Sequence, residues 1–215
     1  MTDHLNEWVS LLPWFESSNY DGVMHRLSQQ ELSNRPPVPQ VDYLLEPFRY
    51  FSPDQTRVII LGEAPYDTPG VSDGLAFSVA PSVSPLPGGL ISLFDELLLD
   101  TGVDHHHNGS LTGWAQQGVL LLNCSLSVPV DHGWHGLIQE AIEAAVALVE
   151  HLVIVKLGDL PRLIAPTVLS RNHLVISCNG PTRIGTGGGF IGSRIFSKTN
   201  RFFADHHLPL IDWSK

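Results

Sequence analysis

Four short apolar runs constrain this chain most tightly: Val58 to Leu61, Val119 to Leu122, Leu152 to Leu157 and His173 to Cys178. Each has the length and β-branched or leucine-rich character of a buried strand. Between them, Leu90 to Leu99 and Ile138 to His151 carry apolar residues at helical spacing, and Leu160 to Leu169 supplies a shorter element despite its prolines. Strands that alternate with helices return to one sheet through crossovers, which makes the strands parallel and puts helices on both faces. The expected fold class is therefore α/β: a three-layer α/β/α sandwich with a central four-stranded parallel sheet.

Ahead of the first strand, Leu5, Trp8, Leu11, Leu12 and Phe15 recur at helical spacing up to about Gln30, with a restart at Pro13. Pro36, Pro37 and Pro39 then exclude a regular helix between Asn34 and Gln40, so that stretch reads as an extended connector within one domain. With 215 residues, of which 43% are hydrophobic and 16% charged, the chain suffices for one substantial core, and a single domain over 1–215 is expected.

Acidic side chains outnumber basic ones 22 to 12, giving a net charge of −10, whereas a protein that grips nucleic-acid phosphates needs a local surplus of Lys and Arg. Tight non-specific DNA binding is not expected. A basic face remains available in the C-terminal third, where Arg162, Arg171, Arg183, Arg194, Lys198 and Arg201 fall. Met1 to Trp14 lacks a secretory signal and no segment reaches the roughly 20 apolar residues of a membrane span. A soluble intracellular monomer, cytoplasmic or nuclear, is the expectation. Cys124 and Cys178 each close an apolar run and read as buried structural thiols; two cysteines alone cannot hold an iron–sulfur cluster. The run His105-His106-His107 is placed in an exposed loop, where adjacent histidines cannot easily face one ion, so neither a metal nor a cofactor is expected.

In a parallel sheet, ligands bind outside the carboxyl ends of the strands. That rule gathers Gly62 to Asp67, Asn123, Gly158 to Asp159 and Asn179 to Arg183 on one rim. Read in order, Gly62-Glu63-Ala64-Pro65-Tyr66-Asp67, Gly74-Leu75-Ala76-Phe77-Ser78-Val79, Gly113-Trp114 through Leu122-Asn123, Gly189-Phe190-Ile191-Gly192-Ser193-Arg194 with Phe196-Ser197-Lys198-Thr199-Asn200, and Ile211-Asp212-Trp213 resemble family-1 uracil-DNA glycosylases in both order and spacing. The resemblance runs from about Val38 to Trp213. It implies a base extruded from DNA into a snug pocket. In that pocket Phe77 stacks on the base and the Asn123 amide pairs with the uracil edge, while Tyr66 blocks a thymine methyl.

The resemblance breaks at two motifs. Where the family has the aspartate that orients water and stabilises the sugar cation, this chain has Ala64; where it has the histidine that donates to uracil O2, it has Asn179, and the leucine wedge is Arg183. The iron–sulfur uracil glycosylases of thermophiles carry Gly-Glu-Ala-Pro in the first motif and depend on that glutamate, which implies Glu63 as the catalytic carboxylate here. An asparagine NH₂ is still a donor, so Asn179 is the second catalytic candidate. DNA contacts are assigned by resemblance to Arg183 and to Ser84, within Pro81 to Pro87; Asp159 in place of the family's serine repels a phosphate. Three functions stay open on these residues: a uracil-DNA glycosylase with rerouted chemistry, a silent homologue that binds DNA or a protein partner, and a glycosylase for a modified base or nucleoside.

Overall fold

A computed structural model of the chain describes residues 3–33, 36–128, 133–158, 160, 172–181 and 189–215. The four expected strands form within a residue of their predicted bounds: β1 Val58–Gly62, β2 Val119–Asn123, β3 Leu152–Leu157 and β4 His173–Cys178. They make one sheet in the order β2-β1-β3-β4, every pair parallel. The helices are α1 Leu5–Leu11, α2 Ser18–Glu31, α3 Gly88–Thr101, α4 Thr112–Ala115, α5 His135–Leu148 and α6 Ile195–Asp205. A 3-10 turn at Pro13–Glu16 marks the expected restart. The helix expected over 160–169 lies, apart from Leu160, outside the described residues.

Strand alternation divides the apolar residues between two faces. Val58, Ile60, Val119, Leu121, Val153 and Val155 pack with Leu93, Phe94 and Leu97 of α3 and Phe196 and Phe203 of α6. Ile59, Leu61, Leu120, Leu122, Leu152 and Ile154 pack against Val23 and Leu27 of α2 and Ile138, Ala141 and Ile142 of α5. Both faces of β1 and β2 are buried along their whole length, which is why these strands read as continuous apolar runs. The helices between strands thus cover opposite faces, and the three-layer sandwich follows.

The histidine run is the one clear correction to the sequence reading. His105 is not exposed: 1% of its surface is accessible, and its ring meets Phe94 at 5.0 Å and Trp114 at 5.9 Å. His106 instead bridges Asp104 at 2.8 Å and Asp95 at 3.2 Å. The His107 ring stays 5.6 Å from that of His105 while His106 turns away to the carboxylates, and among the described residues no group of three or more His, Cys, Asp or Glu is arranged to hold a metal. No described helix is long and apolar enough to cross a membrane.

Burial holds the His105 imidazole below its ordinary value of 6.5. The unfolded chain therefore binds more protons than the folded one below that pH, and His105 destabilises the fold as pH drops through and below 6.5, by up to about 1.4 kcal/mol per pH unit. Urea unfolding of wild type and His105→Phe between pH 7.5 and 5.5 measures this. The wild type should lose stability more steeply; parallel curves would refute the assignment.

Candidate active site

The carboxyl ends of the strands converge as the rim expectation requires. Gly62, the last residue of β1, sits directly opposite Asn123, the last residue of β2. Their pairing continues into both loops, with the Cys124 amide donating to the Gly62 carbonyl at 2.9 Å and the Ser125 amide to the Glu63 carbonyl at 3.0 Å. The backbone of Glu63 is thereby held while its side chain stays exposed. On the other side of β1, the Gly158 amide donates to the Cys178 carbonyl at 3.0 Å, which draws the ends of β3 and β4 together beside Asn179 and Gly180.

Asn123 is 97% buried, since only 3% of its surface is accessible. Its amide nonetheless faces the space that a side chain at position 62 would fill. Gly62 explains its accessibility. A Cβ at position 62 would stand 2.5 Å from Asn123 Oδ1 and 3.1 Å from the Phe77 ring, so the absent side chain leaves a slot where amide and ring meet.

Phe77 reaches this slot from an unusual backbone. Its φ is 68°, a region that L-residues other than Gly, Asn and Asp visit reluctantly. Several bonds hold it there. The Tyr66 hydroxyl donates to the Phe77 carbonyl at 3.0 Å, and the Ala76 amide donates to the Leu121 carbonyl of β2 at 3.1 Å. Asp73 accepts from the Leu75 amide at 3.2 Å and the Ser78 hydroxyl at 2.6 Å, while Ser78 Oγ accepts from the Leu111 amide at 2.9 Å. Burial pushes the Asp73 carboxyl above its ordinary value and, together with Asp73, raises the Tyr66 phenol far above 10, so Tyr66 acts as a neutral donor and a rigid wall.

These groups border a cleft of about 590 Å³ lined by Glu63, Ala64, Tyr66, Phe77, Leu157, Gly158, Gly180 and Pro181. A slightly larger cleft, about 670 Å³, lies at the opposite end of the sheet around Arg57 and Gly118. It sits at the amino ends of the strands, away from the converging polar groups, and the smaller cleft is the candidate site.

Of the residues singled out from the sequence, Glu63, Tyr66 and Phe77 therefore share one cleft, Asn123 stands at the slot beside Phe77, and Asn179 follows β4 next to Gly180. Ser84 is exposed on its loop. Arg183 and Asp159 lie outside the described residues, as do Arg162 and Arg171; Arg194, Lys198 and Arg201 are exposed at or along α6. Sequence reasoning missed Gly62 as the residue that opens the slot and Glu96 as a buried carboxylate beneath the Gly189–Arg194 segment. The only sequence sign of Glu96 was an acidic residue on the apolar face of α3.

Comparison with known proteins gives a consistent result. Residues 48–185 match the family model for the uracil DNA glycosylase superfamily. The uracil-DNA glycosylase of Porphyromonas gingivalis is 35% identical over 193 residues, covering 86% of each chain, and that of Acinetobacter baumannii 34% over 212 residues, covering 95% of this chain and 89% of its own. The enzyme of that name from Mycobacterium avium is 40% identical over 167 residues, 74% of each. Among solved structures, mimivirus uracil-DNA glycosylase superposes with a TM-score of 0.81 at 19% identity, covering 97% of this chain and 86% of its own.

Gly62→Ala tests the slot directly. The added methyl must displace either the Asn123 amide or the Phe77 ring, at a stability cost of about 1–3 kcal/mol. The side-chain amide resonances of Asn123 should shift in a ¹H–¹⁵N spectrum. Unchanged resonances would mean the slot is not as tight as the geometry has it.

Proposed function

Because this chain belongs to the uracil-DNA glycosylase superfamily, we propose that it hydrolyses the N-glycosidic bond of deoxyuridine in DNA, releasing uracil and leaving an abasic site. The observation that carries the reading is the meeting of the buried Asn123 amide with the Phe77 ring at the space that Gly62 leaves open. A carboxamide presents an acceptor and a donor side by side, which matches N3–H and O4 of uracil and opposes the reversed pattern of cytosine. Phe77 offers the stacking face for an extruded base. Tyr66, fixed by its bond to Phe77, closes the space beside C5, and a thymine methyl would collide with it.

The chemistry then needs a carboxylate for the sugar cation and a donor for the departing base. Glu63 borders the cleft and stays exposed enough to meet water. A carboxylate about 4 Å from a developing cation contributes on the order of 4 kcal/mol at an effective dielectric near 20, roughly a thousandfold in rate. Glu63 is assigned this role and the positioning of the attacking water, since Ala64 has no polar atom to offer. Asn179, at the end of β4, donates its NH₂ to O2 as negative charge builds on the leaving base. The acidic balance of the chain makes DNA affinity weak.

Ala64 favours one second reading: a pocket that holds uracil without cleaving it. A single-stranded uracil oligonucleotide, scored for abasic sites by alkaline cleavage, separates the two. Wild type should cleave it. Glu63→Gln and Asn123→Ala should each lose about 10²–10⁴ in rate, and Ala64→Asp should gain. Cleavage by Ala64→Asp alone would identify a binding protein, and no cleavage by any variant would remove uracil as the substrate.

A further inference from the structure

Glu96 of α3 is fully buried, with 0% of its surface accessible, and no ion pair to it occurs among the described residues. Its two oxygens are taken up by one short stretch of chain. Oε2 accepts from the Gly192 amide at 2.5 Å, and Oε1 accepts from the Arg194 amide at 2.6 Å and the Ser193 hydroxyl at 3.2 Å. Main-chain amides can turn onto one carboxylate in this way because Gly192 and Arg194 both adopt positive φ, 84° and 57°. For Arg194 that conformation is unfavourable by about 1–2 kcal/mol without a compensating contact.

Two further contacts connect this anchor to Asn179. Three residues before Gly192, the backbone of Gly189 passes so close to Asn179 that a Cβ there would overlap the Asn179 carboxamide, Cγ at 2.9 Å. The Ser193 hydroxyl also lies within hydrogen-bonding reach of the Cys178 thiol, the residue just before Asn179. The returning chain therefore backs the Asn179 side chain at one point and touches its strand end at another, and Glu96 sets where that chain runs.

We propose that Glu96 is a positioning residue for the glycosylase reaction, holding the Gly189–Arg194 segment against Asn179 so that its amide is presented to the leaving base. The role rests on the function proposed above. Misplacement by about 1 Å costs as much as a hundredfold in rate, so a buried support need not touch substrate to matter. Asp100, one turn further along α3, provides the contrast. It accepts from the Ser197 amide at 2.8 Å and the Ser197 hydroxyl at 2.5 Å, pinning α6 to α3 without reaching the segment beside Asn179.

The test compares Glu96→Gln, Glu96→Asp and Asp100→Asn in the full chain. Glutamine keeps the shape of Glu96 but turns an NH₂ toward amide donors, so one arm of the anchor becomes repulsive. Glu96→Gln should lower kcat on the uracil oligonucleotide roughly 10–100-fold while KM moves less than about threefold. Glu96→Asp, with its charge kept, should recover part of that loss. Asp100→Asn should lower the melting temperature yet leave kcat within about twofold. A second readout does not need turnover: the Asn179 side-chain amide resonances should shift in Glu96→Gln and stay put in Asp100→Asn. Wild-type kcat in Glu96→Gln, or equal kcat losses in Glu96→Gln and Asp100→Asn, would overturn the proposal. If wild type cleaves nothing, the functional reading fails by itself, and unmoved Asn179 resonances in Glu96→Gln would then sink the positioning role separately.

Discussion

The in-register pairing of β1 with β2 is the constraint on which the site depends. Val58 pairs with Val119 and each following residue keeps step, until Gly62 stands opposite Asn123. Side chains alternate faces along a strand, so a slip of one residue would turn Asn123 toward the opposite layer and put leucine at the slot. The register is enforced from both layers at once. Ile60 and Leu121 must reach the α3 and α6 side while Ile59 and Leu120 reach the α2 and α5 side, and neither set can leave its layer without exposing apolar surface. Placement of the Asn123 amide at the sheet end is thus a by-product of burying a two-sided sheet.

Local strain accumulates where that sheet ends. Phe77 at positive φ and the half-buried Asp73 with its carboxyl pushed upward lie within one small region. Each is unfavourable alone, by roughly 1–3 kcal/mol. Together they are tolerated because the surrounding bonds are redundant: Tyr66 to Phe77, Ala76 to Leu121, and Asp73 through Ser78 to Leu111. Such over-determination makes this corner of the cleft rigid, and the same network holds the Tyr66 ring in place.

The residues of the candidate site stand on two kinds of support. Phe77, Asn123 and Tyr66 are built on the sheet end and the ribbon tied to it, whereas Glu63 and Asn179 stand on loops at the rim. Recognition elements tied to a sheet tolerate little change, while rim residues can be exchanged with modest effect on folding. Ala64 and Asn179, two of the departures from the family pattern, both sit on the rim.

What the sequence determined by itself was the four strands, the two long crossover helices and most of the rim. Two-sided apolar runs and helical spacing are local properties, and they located all four strands within a residue and both long crossover helices within a few. The motif residues Glu63, Tyr66, Phe77 and Asn123 were readable because their spacing is carried along the chain. Tertiary structure alone decided the rest. Whether His105 points to water or between Phe94 and Trp114 depends on what packs over its loop. That Gly62 opens a slot depends on Asn123, 61 positions away, and on a Phe77 ring brought in by a positive φ. Glu96 looked like a stray charge on an apolar helix face until Gly192 and Arg194, nearly a hundred residues on, turned their amides onto it. A residue's type and spacing state what it can do; only the long-range contacts that burial forces together determine what it does.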